Sequence, residues 1–273
     1  MYIIAEIGIN HNGSLETALE MIDAAKEAGA NCVKFQKRNP DKCVPEHQKN
    51  QPRVFLGEEM TYLEYKKNIE FQKYEYTEIA KHCKEIGMDW TVSVWDLDSV
   101  EFMKQFLNDI PFIKIPSALI TDLDLLQAVD KLNIPIIISD GMSTFEEVIT
   151  SITYLKNLKA ILHCNSSYPC DPEELDLNVI HTLKNLFKKI QIGYSGHEMG
   201  YYPTILSVAT GAEIIERHFT LDNNMEGTDQ KASLNPKDFK DMINEIKNVE
   251  KILGGYEIKV YPSEEKVKEK LRK

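Results

Sequence analysis

Two histidines end two consecutive runs that have the character of β-strands. His197 closes the run that begins at Ile192, and His218 closes the run that begins at Ile214. Imidazole is a common metal ligand, and two of them at the same end of neighbouring parallel strands could hold one divalent ion with positions left open for substrate and water. The alternative is that each histidine is a satisfied interior residue. Their matched placement and the acidic neighbour Glu216 favour the metal site.

The two runs belong to a pattern that repeats eight times: a short β-branched run, a polar or glycine-containing junction, and an amphipathic stretch. This alternation predicts an α/β fold, a single (β/α)8 TIM barrel. The predicted strands span residues 2–9, 31–36, 89–95, 112–116, 135–139, 159–165, 190–195 and 212–218. Helices are predicted from Leu15 to Ala28, Asp122 to Leu132, Phe145 to Leu155 and Asp238 to Leu253, with N-caps at Ser14, Thr121 and Thr144 and a capping-box spacing from Thr144 to Glu147.

Two segments depart from the repeat. The stretch from Arg38 to Glu70 is too long and polar for a simple connection, and we interpret it as a substrate-covering loop. Residues 1–255 are predicted to form one catalytic barrel domain. Residues 256–273 are predicted to form a short, charge-rich tail, a helix or an arm that packs on the barrel.

Composition narrows the class of protein. The chain has 273 residues, 42% hydrophobic and 27% charged, which is enough to bury a large core. Its formal charge of −11, with no basic cluster apart from the last residues, predicts no nucleic-acid partner. The five cysteines form no C-x-x-C pair, which favours a reducing, cytoplasmic location. No leader and no run of about 18 apolar residues is found, so no membrane partner is predicted.

Polar residues close the predicted strands and form one candidate site, because active sites of such barrels lie at the carboxyl ends of the strands. Lysines inside strands are costly unless their ammonium groups meet anions, and Lys34 and Lys114 belong to this rim. Two buried lysines beside several serines indicate a site for a small polyanion, such as a phosphate joined to a carboxylate. The alternative is an internal ion pair of these lysines with Glu6 or Glu216.

Five motifs follow one another at or just after predicted strand ends. They are AEIGINHNG from Ala5, VKFQ from Val33, GYSGH from Gly193, ERHFT from Glu216 and GTDQKASL from Gly227. Together they resemble the sialic acid synthase (N-acetylneuraminate synthase) family over about residues 1–255. One such motif alone is weak, but five in the right order identify the chain as a member of the family.

The resemblance implies a phosphoenolpyruvate-dependent transferase that condenses phosphoenolpyruvate with N-acetylmannosamine or a similar acetamido sugar. The products would be a sialic (nonulosonic) acid and phosphate, with cleavage of the C–O bond of phosphoenolpyruvate. A divalent metal, Mn²⁺ or alternatively Mg²⁺ or Co²⁺, would be held by His197 and His218. It would polarise the sugar aldehyde and hold the water that adds at C2.

The same resemblance implies a role for each site residue. Glu6 would orient or deprotonate the water, and Glu216 is a second candidate for proton transfer. The phosphoenolpyruvate carboxylate would be held by Lys34, Ser93 and Lys114, and its phosphate would be surrounded by Lys114, Ser117, Ser166 and Ser195. Gln36, Tyr168 and Asp229 match positions near the sugar.

Three departures from the family pattern bear on these roles. Many members have Gly-Glu after the serine of the fourth strand, where this chain has Ala118 and Leu119, so an acidic sugar contact is missing and the sugar could differ. Well-known members continue into an antifreeze-like domain that supplies a sugar-binding arginine to a partner subunit, and this sequence ends before it. In the sixth-strand motif, Asn165 and Ser166 replace the usual residues, so the phosphate contact could shift by one position.

Several hypotheses therefore stay open. Within enzymes, the product could be another nonulosonic acid of the legionaminic or pseudaminic type, or the sugar could be 6-phosphorylated. Outside enzymes, the barrel could bind a sugar without catalysis, although the presence of Glu6, Lys34, Lys114, His197 and His218 argues against this. A homodimer is a further hypothesis, in which the stretch after the second strand closes over a neighbour's site.

Overall fold

A closed barrel forms the centre of the molecule in the computed structural model, which describes residues 1–272. The ten strands are β1 (Tyr2–Gly8), β2 (Cys32–Lys37), β3 (Pro52–Phe55), β4 (Glu58–Thr61), β5 (Asp89–Val94), β6 (Ile113–Ile115), β7 (Ile136–Ser139), β8 (Leu158–His163), β9 (Gln191–Gly196) and β10 (Ile214–His218). Eight of them are parallel and close in the order β1-β10-β9-β8-β7-β6-β5-β2, while β3 and β4 form a separate antiparallel hairpin.

Helices surround the barrel. They are α1 (Leu15–Ala28), α2 (Pro40–Cys43), α3 (Tyr62–Asn68), α4 (Lys73–Ile86), α5 (Leu97–Met103), α6 (Leu123–Asp130), α7 (Phe145–Tyr154), α8 (Asn178–Leu186), α9 (Tyr202–Ala209), α10 (Pro236–Leu253) and α11 (Pro262–Leu271). Among residues 1–272, none of the helices has both the length and the apolar character needed to cross a membrane.

The predicted (β/α)8 barrel is confirmed, and each predicted strand lies within two residues of an observed one. Ser14 and Thr144 cap their helices as predicted, and Thr144 forms a capping box with Glu147. The N-cap predicted at Thr121 is wrong, because the Asp122 side chain accepts the hydrogen bond from the Leu125 amide one residue later. A carboxylate in this position satisfies a free backbone N–H of the first turn and favours the helix dipole.

The segment from Arg38 to Glu70 is folded, so its description as a loop is wrong. It contains α2, the β3–β4 hairpin and α3, and it has its own small apolar cluster of Ile9, Phe55, Tyr65 and Ile69. The hairpin tip meets the loop after β10, where the Leu56 amide donates to Glu226 at 2.8 Å. The segment thus contacts the loop that follows β10, and its predicted closure over substrate stays a prediction.

The tail forms a helix, but the predicted packing on the barrel is wrong. Every described residue from position 256 onward is exposed, and α11 contains no buried residue. Polar residues dominate this helix, so burying it offers little free energy. Lys273, the last residue of the predicted tail, lies outside the described residues. The division of the chain at residue 255 stays a prediction.

Strand periodicity separates the core from the site. Along β1, Ile3, Ala5 and Ile7 pack in the large cluster beneath the helices, whereas Ile4 belongs to a small cluster with residues from other strands, including Ile137. Because side chains alternate across a strand, Ile4 and Glu6 share the inner face of the barrel. The apolar cluster fills the bottom of the barrel, so polar residues nearer the carboxyl ends meet above it.

Candidate active site

Strand register places the predicted site residues side by side. Glu6 of β1 pairs in register with Lys34 of β2 on one side and with His218 of β10 on the other. Likewise Ser93 pairs with Lys114, and Glu216 pairs with Ser195. Residues far apart in the sequence are thereby brought to the carboxyl end of one barrel, where such folds carry their active sites.

An open cavity of about 570 Å³ lies at this end of the barrel. All the predicted site residues except Asp229 line it, namely Glu6, Lys34, Gln36, Ser93, Lys114, Ser117, Ser166, Tyr168, Ser195, His197, Glu216 and His218. Asp229 lies behind one of the histidines, with its Oδ2 3.9 Å from His218 Nδ1. The predicted residues therefore converge on one cavity, while their individual roles stay predictions.

Two lysines and two carboxylates form the buried charged centre of the cavity. Lys34 Nζ lies 2.7 Å from Glu6 Oε2 and 3.7 Å from Glu216 Oε1, and Lys114 Nζ lies 3.4 Å from Glu216 Oε1. The internal ion pairs that the sequence left as an alternative are thus present. Both lysines still line the open cavity, so the pairs do not remove them from a ligand.

The charges of these four side chains shift one another's pKa values. Burial alone would raise the pKa of Glu216, but the charges of Lys114 and Lys34 outweigh it and lower this pKa to about 2. Burial lowers the pKa of Lys34, yet the Glu216 and Glu6 carboxylates overcome that effect and raise it. For Lys114, burial dominates over Glu216, and its pKa is lowered. Glu216 is therefore held in its ionised form by the two ammonium groups.

The two histidines adjoin in the cavity with ring centroids 5.7 Å apart. His197 Nδ1 donates to the Asn165 carbonyl at 2.5 Å, so the lone pair of the ring is on Nε2, where it accepts the Tyr168 hydroxyl at 2.8 Å. Burial and the neighbouring His218 lower the pKa of His197 to about 3, so its imidazole is neutral. His218 Nδ1 is buried without a hydrogen-bond partner.

These features fit a divalent metal. A ligating histidine usually donates its second ring nitrogen to a carbonyl or carboxylate, as His197 does to Asn165. Two imidazoles suit a first-row transition ion better than Mg²⁺, which prefers oxygen ligands. Within the described part of the chain, no group of three or more His, Cys, Asp or Glu side chains is arranged to hold a metal. The remaining positions on an ion held here would thus be open to substrate and water.

Hydroxyl groups line another part of the cavity. Ser117 Oγ lies 3.1 Å from Cys164 Sγ, and a Cβ added at Gly141 would collide with Ser166, Cys164 and Ser117. Glycine at this position therefore keeps a small polar recess open. Burial raises the pKa of the Cys164 thiol, as does the charge of Asp140, so the thiol is protonated and is not an activated nucleophile.

A buried ion pair anchors the segment that carries Ser166 and Tyr168. His163 Nδ1 lies 3.0 Å from Asp140 Oδ2, and its Nε2 lies 2.9 Å from the Leu175 carbonyl. Both ring nitrogens must carry protons to donate to both acceptors. Burial lowers the pKa of His163, but the hydrogen bond and charge of Asp140 outweigh it and raise this pKa. The imidazolium therefore ties the two ends of the segment together.

We expect His163→Gln to remove a pH-dependent contribution to stability. Because the folded-state pKa of His163 is raised, its stabilisation is fully present below the unfolded value of about 6.5 and is lost as the pH rises through the folded value. The difference in free energy of unfolding between wild type and variant should therefore shrink as the pH rises above about 6.5. Urea denaturation across this range measures it, and a constant difference would contradict the ion pair.

Some polar residues near the strand ends have side chains that point away from the cavity. The Asn165 side chain bonds to Glu174 and to the Ser167 amide, so Ser166 is the residue of this pair that reaches the cavity. Arg217 lies fully buried with Glu198 at 2.6 Å, outside the cavity. His11 stacks on Phe71 at 3.8 Å and serves the core.

Other residues that line the cavity were not among the predicted site residues. Trp95, Met142 and Ala118 reach the cavity, and Ala118 stands where many family members have the glycine of the Gly-Glu pair. Trp95 follows the end of β5, and its indole offers a flat apolar face to the cavity. Apolar side chains such as that of Met142 reveal their role only when the loops that carry them are placed in space.

Comparison with known proteins supports the motif-based identification. A model described as the NeuB family matches residues 21–258. An N-acetylneuraminate-9-phosphate synthase of Drosophila melanogaster is 41% identical over 256 residues, covering 91% of this chain and 68% of that protein. An N,N'-diacetyllegionaminic acid synthase of Campylobacter jejuni is 35% identical over 272 residues, covering 97% of this chain and 80% of that protein.

A solved structure gives the same result. The N-acetylneuraminic acid synthetase of Leptospira borgpetersenii matches with a TM-score of 0.88 and 31% sequence identity, covering 99% of this chain and 92% of that chain. Since the relatives are named as synthases, the predicted enzyme of the sialic acid synthase type is confirmed. The chain belongs to the NeuB family.

Proposed function

We propose that this chain condenses phosphoenolpyruvate with an acetamido sugar, in the presence of a divalent metal, to give a nonulosonic acid and phosphate. The observation that carries the proposal is the pair of buried lysines, Lys34 and Lys114, on either side of Glu216 in a cavity that also holds two histidines. Buried ammonium groups in an open cavity suit a small ligand with a carboxylate and a phosphate.

Phosphoenolpyruvate would bind on the lysine side of the cavity. Lys34 and Ser93 lie on neighbouring strands and would hold its carboxylate, as the resemblance implies. Lys114 and the recess formed by Ser117 and Ser166 at Gly141 would hold its phosphate. Fixed donors of this kind stabilise the charge that moves to the phosphate oxygens as the C–O bond breaks.

The sugar would bind as its open-chain aldehyde beside the histidines. A metal held by His197 and His218 would polarise the aldehyde oxygen and activate a water molecule. Glu6 is kept in place by Lys34 and by Gln36, whose Nε2 donates to Glu6 Oε1 at 2.9 Å. Gly8, with φ +58°, leaves room for this bond, because a Cβ there would lie 3.1 Å from both partner atoms.

The reaction balances with one water consumed. C3 of phosphoenolpyruvate forms a bond to the aldehyde carbon, water adds at C2, and the C2–O bond breaks to release phosphate and leave a ketone at C2. Of the two protons of the water, one ends on the former aldehyde oxygen, which becomes a hydroxyl, and the other ends on the phosphate. The water loses its proton to a carboxylate, and two are placed for this, Glu6 and Glu216. Glu216 is ionised, and its Oε2 accepts no hydrogen bond within the described residues. Both carboxylates lie near the ammonium group of Lys34, so protonation of one carboxylate affects the other.

Isotopic labelling of phosphoenolpyruvate tests the proposal. The bridging oxygen between C2 and phosphorus is labelled, and the protein is incubated with acetamido hexoses and Mn²⁺. We expect all of the label in the released phosphate and a new nine-carbon keto acid by mass spectrometry. Label retained in the organic product would exclude C–O cleavage. Sugar binding with no release of phosphate for any acetamido sugar would favour the non-catalytic barrel.

A further inference from the structure

Three cations gather in the segment of residues 38–70, beside the catalytic cavity. They are Arg38, which follows β2, Arg53 of β3 and Lys66 of α3, and we name them the cationic cluster. Arg53 Cζ lies 4.2 Å from the Tyr65 ring centroid, and Lys66 Nζ lies 5.2 Å from the same centroid. Arg38 and Lys66 line one cavity of about 510 Å³. The fold of this segment thus brings together charges that are spread over 29 positions of sequence.

The cationic cluster has no acidic partner of its own. Within residues 1–272, none of its three members forms a salt bridge, and Nε of both arginines is buried without a hydrogen-bond partner. Glu70 lines the same cavity, but its carboxylate is committed to Lys37 at 2.6 Å. Burial, with the positive charge of Arg38, lowers the pKa of Lys66 to about 8. Cations without carboxylate partners suit an anionic ligand.

The cationic cluster adjoins the sugar side of the catalytic cavity. Arg38 donates to the Gln36 side chain, which in turn donates to Glu6, so Arg38 is two hydrogen bonds from the charged centre. Its guanidinium stacks 4.0 Å from the centroid of Trp95, which lines both cavities. Asp229, a predicted sugar contact, lies close enough to Lys66 to affect its charge. A sugar bound between Gln36 and Asp229 would extend toward these cations.

We propose that the cationic cluster binds a phosphate group on the acetamido sugar, at the end farthest from the reacting aldehyde. This inference rests on the proposed function and names its substrate class, an acetamido hexose 6-phosphate. Two guanidinium groups offer planar forks of donors that match phosphate oxygens, and Lys66 adds a third charge. Three cations exceed what one sugar hydroxyl or one carboxylate would require. The product would then carry its phosphate at the end farthest from the new carbon–carbon bond.

Kinetics with matched sugars tests the inference. We expect wild type to use N-acetylmannosamine 6-phosphate with a kcat/KM at least about tenfold higher than N-acetylmannosamine, because each charge-assisted contact contributes to binding. Lys66→Met and Arg53→Met keep the aliphatic packing on Tyr65 and remove the charge. Each should lower kcat/KM for the phosphorylated sugar by about tenfold to a hundredfold. The ratio of kcat/KM for the phosphorylated sugar to that for the unphosphorylated sugar should therefore fall.

Lys67→Met is the matched control, since Lys67 is the adjacent lysine but pairs with Asp41 at 2.7 Å outside this cavity. Lys67→Met should leave the ratio of kcat/KM for the two sugars unchanged. Equal use of both sugars by wild type, or a preference for the unphosphorylated one, would overturn the inference while leaving the proposed function intact. Equal losses on both sugars in Lys66→Met and Arg53→Met would overturn the phosphate role of the cluster. No turnover of any acetamido sugar, phosphorylated or not, would overturn the proposed function as well.

Discussion

His218→Ala is expected to lower turnover by at least about a thousandfold while the barrel stays folded. His218 pairs with His197 in the cavity, and its Nδ1 makes no hydrogen bond, so removing the ring breaks no structural hydrogen bond at that nitrogen. What is lost is one of two imidazoles proposed to hold the metal. A metal bound by one imidazole would be weakly held and misplaced.

Calorimetric titration with Mn²⁺ gives a readout besides activity. Wild type should bind one ion, and His218→Ala should bind it far more weakly. His181→Ala is the control, because His181 is exposed on α8, and it should behave as wild type in both measurements. Unchanged turnover in His218→Ala with an intact thermal transition would show that this metal assignment is wrong.

Lys114→Met should lower kcat/KM for phosphoenolpyruvate by about a hundredfold to ten-thousandfold. Lys114 and Lys34 are the two ammonium groups that line the cavity, and Lys114 faces the recess formed by the serines. The variant also leaves Glu216 with Lys34 as its remaining ammonium neighbour, so a buried carboxylate stays partly uncompensated. Methionine preserves the length of the side chain, and the loss therefore reports on the charge.

Steady-state rates at fixed saturating sugar and varied phosphoenolpyruvate measure this effect. Lys104→Met serves as the matched control, since Lys104 is exposed and pairs with Glu101 on the surface. We expect that control to stay within about twofold of wild type, as exposed ion pairs contribute little. A Lys114→Met variant that kept its kcat/KM for phosphoenolpyruvate, and lost only affinity for the sugar, would contradict the placement of the polyanion.

The barrel could be predicted from sequence because its signals are local. Eight β-branched runs separated by amphipathic stretches leave few topologies, and each run lies within two residues of an observed strand. Where two residues compete for one role, local signals fail. Thr121 and Asp122 are both good N-caps, and only the backbone geometry decides that Asp122 accepts from Leu125.

The cavity could also be predicted, because strand order turns sequence position into spatial position. Glu6, Lys34 and His218 stand at comparable heights in β1, β2 and β10, and register brings them together. The cationic cluster could not be predicted in this way. Arg38, Arg53 and Lys66 are isolated charges in the sequence, and their approach depends on how the hairpin and α3 fold back on the barrel.

The pairing of charges in the site could likewise not be predicted from the sequence. Internal ion pairs and a polyanion site stood as alternatives, and the structure shows pairs that line an open cavity. Whether the ammonium group of a buried lysine has a carboxylate partner depends on distances of a few ångströms to side chains on other strands. Such distances follow from packing, which composition and periodicity do not specify.

Phosphate release from phosphoenolpyruvate tests the central claim most directly. The chelated protein is supplied with N-acetylmannosamine or its 6-phosphate, and the rate is measured before and after Mn²⁺ is added back. We predict release that requires both the sugar and the metal. Release without sugar, or release undiminished by chelation, would contradict the account of a metal-dependent condensation at His197 and His218.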